Sequence, residues 1–290
     1  MKLQTIVEYL DKIFPQELAE DWDNVGLLLG DRNQRVRKVL TCLSIDASVA
    51  REAAAEGYEL IVSHHPFPFH SAKRWTSDTP EGRIMLTLLG AGIAAYSPHT
   101  THDDAFFGIN RQLAEGLGLE DVKSLVPKGV VPTREALDGL DDADARLVAT
   151  ESAPLGIGRI GALRTPTTLK TLFERVANMF QSDGILVVGD DEKKIKKVAI
   201  GCGAADNFIG DAAKAGADAM LVGEARFHAC MEARALGLAL VMPGHYATER
   251  FAMTILADRI GRKFPELQVK SSAAERDPIR FVATSRRQSR

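Results

Sequence analysis

The chain has 290 residues, of which 45% are hydrophobic, 26% charged and only 6% aromatic, with a formal net charge of −3 at pH 7. That apolar content over that length supports one large domain or two of ordinary size, and it excludes disorder as the main state. The near-balance of charge leaves no basic field for a duplex or an anionic membrane, and apolar runs such as 235–242 fall far short of the roughly 20 residues that span a bilayer.

The opening MKLQTIVEYLDKIF sets Glu8 and Asp11 among apolar residues at helical spacing. This is the pattern of an amphipathic helix and not of a secretion signal, so a cytoplasmic protein is expected. The segment Trp22-Asp23-Asn24-Val25-Gly26 reads as a turn with Trp22 as a packed anchor. Strands are then expected at 38–45, 59–63 and 93–97, alternating with helices at 48–56, 82–89 and 105–117, the signature of parallel strands joined by crossover helices. The stretch 127–154, which holds LDGLDDADAR, reads as a connector between domains at 1–126 and 155–290, with the C-terminal helix able to pack back on the first. From Gly156 the sequence predicts a strand, a helix start at the Thr-Pro pair and an amphipathic helix, followed by a strand at 185–188. The alternation then returns, with strands at 197–201, 219–222 and 239–242 and helices at 207–215, 225–236 and 247–260.

The two alternating stretches resemble each other. SIDASVAREAAAEGYELIVSHH and GAADNFIGDAAKAGADAMLVGEA share an Asp, an Ala-rich helix and a strand with a polar end, and LLGAGIAAYSPHTTHD and ARALGLALVMPGHYATE both run Gly, apolar strand, Pro, His and an acid four residues on. The fold class expected is therefore α/β, two similar α/β domains from an internal repeat.

All seven histidines fall in three places: His64, His65 and His70; His99 and His102; His228 and His245. Each group follows a predicted strand, and the carboxyl ends of parallel strands share one rim where ligands bind. Imidazole and carboxylate without thiolate describe a site for divalent first-row metals such as zinc, iron or manganese. The three cysteines are too few and scattered for a disulfide framework or a cysteine zinc site. His99 and Asp103, Glu224 and His228, and His245 and Glu249 are spaced i to i+4, which puts each pair on one side of a helical turn. Asp103 and Glu249 hold matching places in the two repeats and are the natural bridges between two ions. His70 and His102 read as loop or supporting residues, and His228 is open between ligand and surface residue. Arg226 and Arg250, each one or two residues after a proposed ligand, can meet an anionic substrate. Gly201-Cys202-Gly203 reads as a tight turn, since it lacks the third glycine and the acidic partner of a dinucleotide loop.

DWDNVGLLLG, IVSHHPFPF, YSPHTTHDDAFFGIN, GCGAADN, LVGEARFHA and GHYATERFAM, in this order, resemble the NIF-three-like family, also labelled GTP cyclohydrolase I type 2 homologues or dinuclear metal centre hexameric proteins. The resemblance implies a pair of similar α/β domains enclosing a two-metal site, in a toroidal homohexamer. It implies His64, His65, Asp103, His245 and Glu249 as metal ligands, with His99 a further or optional one. His102 departs from the family's hydrophobic or small residue before the acid of the second motif.

The function expected is hydrolysis of a small, nucleotide-like substrate with two divalent ions per chain, His99 or Glu224 moving the proton. Under a cyclohydrolase label, water would add to and open a purine imidazole ring. The competing class is a non-enzymatic metal-binding or partner-binding protein. Five or six ligands for two ions leave room for water, which favours catalysis.

Overall fold

The computed structural model describes residues 1–130 and 154–282. The expected connector at 127–154 lies outside the described residues except at its two ends. The first strands are β1 (Gly26–Leu29), β2 (Lys38–Cys42), β3 (Leu60–Ser63), β4 (Ala94–Ser97), β5 (Leu119–Lys123) and β6 (Val126–Val130). They are followed by β7 (Leu155–Ile157), β8 (Arg159–Thr168), β9 (Leu186–Val188), β10 (Lys194–Gly201), β11 (Ala219–Val222), β12 (Ala239–Met242) and β13 (Gln268–Ser271).

Two larger sheets result, in the orders β1-β4-β3-β2-β13 and β5-β8-β10-β11-β12-β9, with β6 and β7 forming a separate pair. Within the first sheet β2, β3 and β4 run parallel, as β10, β11 and β12 do in the second. Each parallel trio carries an antiparallel neighbour beside its last strand, β1 on β4 and β9 on β12. The expectation of parallel strands therefore holds for the two trios, to which β13 adds a parallel neighbour on β2, whereas β1, β9 and β8, the last beside β10, run antiparallel. The chain crosses between sheets, for β5 lies in the second and β13 in the first.

Period-two burial separates the faces of both sheets. Val39, Leu60, Val62, Ala94 and Tyr96 point into the same central cluster as Val198, Ile200, Leu221, Ala239 and Val241. Helices Leu3–Ile13, Ile109–Gly116, Leu169–Phe180 and His245–Lys263 contribute Leu10, Leu113, Leu172 and Met253 to that layer. The intervening residues Leu40, Ile61 and Ala95 face the outer helices Ala47–Glu56 and Pro80–Ala91, while Ala199, Met220 and Leu240 face Ile209–Lys214 and Phe227–Ala235. Both strand faces are thus buried, which is why the trios read as continuous apolar runs.

Local capping sets the helix starts. The Asp46 carboxylate accepts from the Ser48 and Val49 amides, and the Thr168 hydroxyl accepts from the Thr171 amide. The Thr165-Pro166 pair expected to open the second of these helices lies instead inside β8. The helix expected at 105–117 starts only at Ile109 and ends at Gly116, and a separate helix, His99–Asp104, precedes it. Among the described residues no helix is long and apolar enough to cross a membrane.

Candidate metal centre

His64 and His65 follow β3 directly, and their amides donate to the Cys42 and Leu43 carbonyls at 3.0 and 2.8 Å, so the ladder with β2 continues past the strand. Asp103 stands on helix His99–Asp104 just after β4, whose first residue, His99, has the left-handed φ of 34°. His245 and Glu249 sit one turn apart on the first turns of His245–Lys263, entered through Gly244 at φ 113°. Strand ends of both sheets therefore supply the cluster.

The ligand atoms form three overlapping groups, each within 4.8 Å: His64, Asp103 and Glu249; His65, His245 and Glu249; His64, His65 and His99. Glu249 Oε2 lies 2.9 Å from His245 Nε2, 3.1 Å from His65 Nε2 and 3.7 Å from His64 Nε2. Asp103 Oδ1 lies 3.5 Å from His64 Nε2. Glu249 is shared by two of the groups, whereas Asp103 belongs only to the one with His64.

The outer nitrogens of three imidazoles are held by oxygens. His65 Nδ1 meets Ser44 Oγ at 2.7 Å, His99 Nδ1 meets Asp23 Oδ1 at 2.7 Å and His245 Nδ1 meets Glu224 Oε1 at 3.0 Å. Fixing Nδ1 in this way aims Nε2 and sets the tautomer, which is how metal-bound histidines are oriented. His64 differs: it is wholly buried, and neither ring nitrogen finds a hydrogen-bond partner among the described residues. Burial lowers its pKa to about 4, keeping the ring neutral with its lone pair free. An orphaned neutral imidazole facing two carboxylates, beside two Nε2 atoms only 3.3 Å apart on His65 and His245, fits divalent cations.

Protons balance the acids of this cluster, and divalent ions binding there would displace them. Burial, together with the facing Glu249 and neighbouring Asp104, pushes the Asp103 carboxyl well above its usual range. Burial also works against ionised Glu249, but the surrounding His64, His245 and His65 hold it well below. Burial would lower His245 too, yet hydrogen bonds to Glu249 and Glu224 raise it to about 9.

The loop after β10 closes the floor. Gly203 has φ 57°, and a Cβ there would lie 2.1 Å from Glu249 Oε1, so backbone lies against the carboxylate. Cys202 Sγ donates to Asp103 Oδ1 at 3.0 Å. The GCG segment, read as a tight turn, thus touches both acids. Beside it opens a cavity of about 1080 Å³, lined by His65, His99, Asp103, His245 and Glu249 among others.

Some expected residues lie elsewhere. Glu224 bonds the outer nitrogen of His245 and is not among the residues lining the cavity, so it orients a ring and does not face the cluster. Arg226 pairs with Asp206 at 2.8 Å, and Arg250 with Glu275 at 2.6 Å, and neither lines the cavity. His228 is exposed; His70 is exposed too but lines the cavity beside Phe69, while His102 is buried against Phe14 with ring centroids 4.5 Å apart.

Two contributors were not foreseen. Asp23, in the segment read as a turn, holds both His99 and Thr100. Burial would raise its pKa, but those hydrogen bonds lower it to about 2. The sequence signals were an acid beside an aromatic ring in a turn and its place in the DWDNVGLLLG motif, and its partner lies 76 residues on. Arg159, 2% exposed, donates to the carbonyls of Asp104 and Ala105 as well as Gly156 and Gly158, tying the Asp103 helix to the second sheet.

The family described as Duf34/NIF3 (NGG1p interacting factor 3) matches residues 1–278. A Clostridium perfringens protein named GTP cyclohydrolase 1 type 2 homolog is 30% identical over 283 residues, covering 97% of this chain and 100% of that protein. A Schizosaccharomyces pombe protein named Protein NIF3 homolog is 31% identical, covering 96% of each chain. Among solved structures, a Bacillus cereus protein related to NIF3 superposes with a TM-score of 0.84 at 26% identity, over 97% of this chain and 99% of that one. On sequence and fold together, the chain belongs to the Duf34/NIF3 family.

Proposed function

We propose that this chain is a dinuclear metal-dependent hydrolase of a small, nucleotide-like substrate. The observation that carries the reading is Glu249 Oε2 set among the Nε2 atoms of His64, His65 and His245, with Asp103 completing one side. His64, Asp103 and Glu249 would hold one ion and His65, His245 and Glu249 the other. Divalent ions there supply Lewis acidity and acidify water enough for hydrolysis near neutral pH.

The chain's own residues do the rest. Glu224 and Ser44 fix the His245 and His65 rings, and Cys202 holds Asp103 through its thiol hydrogen. His99, gripped by Asp23, leaves Nε2 as its free nitrogen on the cavity, where it either completes coordination beside His64 and His65 or exchanges a proton with substrate. The relatives' names, GTP cyclohydrolase 1 type 2 homolog, support a nucleotide-like substrate.

The shared strand orders β1-β4-β3-β2 and β9-β12-β11-β10 support an internal repeat, with the dinuclear site between its halves. We further assign a homohexameric assembly and a cytoplasmic setting. The apolar side chains left exposed on Leu186, Phe227, Met231 and Leu236 are surface that subunit contacts would cover.

The test is turnover of GTP, other nucleotides and phosphoesters by protein loaded with zinc, iron or manganese. Hydrolysis that His99→Ala reduces ~100- to 10,000-fold with both ions retained assigns His99 to proton transfer, whereas loss of one ion assigns it as a ligand. No turnover with any substrate class, together with a large fall in melting temperature on chelation, favours instead a protein whose ions serve architecture.

A further inference from the structure

Two aromatic rings beside the cluster are left uncovered: Trp22 is 62% and Phe69 47% exposed, and both line the cavity that holds His99, Asp103 and Glu249. Exposed aromatics on a loop commonly signal slack, but this loop is tied down. The Glu20 amide donates to Thr100 Oγ1 at 3.1 Å, Asp23 grips His99, and Asn24 Nδ2 donates to the Pro68 carbonyl at 3.2 Å, joining the Trp22 loop to the Phe69 loop. The rings meet each other and His99 at tilted or edge-on angles with centroids 5.8 to 6.4 Å apart, and Phe69 meets His70 edge-on at 4.8 Å. Neither has a parallel stacking partner among the described rings, so both are held in place while a flat ring can still stack on them.

His99 links this wall to the metal ligands, for its ring centroid lies 5.3 Å from that of His64 and 5.7 Å from that of His65. A flat ring on Trp22 and Phe69 would therefore set its substituents against the cluster. Two divalent ions held there would outweigh the carboxylates of Asp103 and Glu249 and make that centre positive, so an anionic substituent would be drawn to it, with Arg74 on the same cavity wall as Glu20, Asp46 and Glu81.

We propose that Trp22 and Phe69 form a stacking seat for the planar heterocycle of an anionic substrate, such as a purine nucleotide, whose charged part meets the metal centre; the proposal rests on the hydrolase reading for the second half of that statement only. Stacking on open faces tolerates any base, so adenosine and guanosine monophosphates should both bind, and ribose 5-phosphate should bind more weakly.

The chain has only two tryptophans, Trp22 and Trp75, and both line the cavity. In a Trp75→Phe background the emission comes from Trp22 alone. Titration with either nucleotide, in chelated and in zinc-loaded protein, should quench that emission to saturation. By calorimetry Trp22→Ala should raise the nucleotide dissociation constant about 5- to 100-fold, Trp22→Phe should restore most of the affinity, and ribose 5-phosphate should respond to neither change. Phe69→Ala should weaken nucleotide binding in the same sense. Unchanged nucleotide affinity in folded Trp22→Ala and Phe69→Ala overturns the seat, as does a change in assembly size in Trp22→Ala with no quenching in the parent. Trp22-dependent binding without hydrolysis keeps the seat and removes the hydrolase; hydrolysis indifferent to both aromatic rings does the reverse.

Discussion

Replacing Gly203 with alanine tests how closely backbone and carboxylate are fitted at the centre. Two costs are expected. The first is conformational: φ 57° is left-handed, and a side chain there costs about 1 kcal/mol. The second is steric, because the new Cβ would stand 2.1 Å from Glu249 Oε1, 3.1 Å from its Cδ and 3.2 Å from His245 Nε2. A flexible carboxylate would swing away cheaply, but Glu249 is 3% exposed and surrounded by three imidazoles, so displacement adds about 1–3 kcal/mol of overpacking. Gly57→Ala is the control, since Gly57 has φ 70° with nothing within 4 Å of a Cβ and therefore reports the first cost alone. Urea unfolding of chelated protein should give a loss of about 1 kcal/mol for Gly57→Ala and about 2–4 kcal/mol for Gly203→Ala. Elemental analysis should show metal lost only from the second. Equal stability losses with metal retained in both would refute the fitted floor.

Asp23→Asn should weaken metal binding about 10- to 100-fold in a competition titration, because an amide has one acceptor oxygen and no charge where the carboxylate holds His99 with one oxygen and Thr100 with the other; unchanged affinity would separate His99 from the centre. The same variant tests linkage in chelated protein. With its folded pKa held near 2 against 3.8, Asp23 contributes about 2 kcal/mol above pH 4 that is lost as pH falls toward 2. Asp23→Asn should therefore flatten that part of the stability profile, and an unchanged acid limb contradicts the assignment. Arg159→Met should cost about 3–5 kcal/mol by denaturant unfolding, since four carbonyls and buried Asp104 lose their donor and counter-charge, and a loss under 1 kcal/mol would deny it the clamp role. Arg226→Ala should leave turnover within about twofold, its ion pair with Asp206 being a surface contact, and a large loss would return it to the substrate.

The histidine groups were legible because ligands of this kind must stand at strand ends, and the spacing of His245 and Glu249 required no knowledge of the fold. Short continuous apolar runs alternating with helical segments likewise carried the six strands of the parallel trios. What escaped had its cause at long range. Asp23 and β1 lie where Gly26 signals a turn, and only β4 and His99, some 70 residues away, give them partners. The helix expected through Gly108 breaks there because the chain folds against its own carbonyls, and a Cβ would lie 2.4 Å from the His102 oxygen. The Thr-Pro pair looked like a helix start, but Thr167 and Thr168 pair with Ile195 and Lys194, so the strand runs on until Thr168 can cap. Glu224 has the spacing of a ligand to His228, yet it serves the outer face of His245, a role that depends on how β11 and β12 align.

Counting the ions tests the central claim most directly. Elemental analysis of the purified chain, reloaded with zinc, manganese or iron, should give about two ions per chain. Glu249→Ala should lose both because its carboxylate is common to both ligand groups, and Asp103→Ala should lose only the ion beside His64. Full metal content in Glu249→Ala, or fewer than one ion in the parent chain under every metal, would contradict a dinuclear centre.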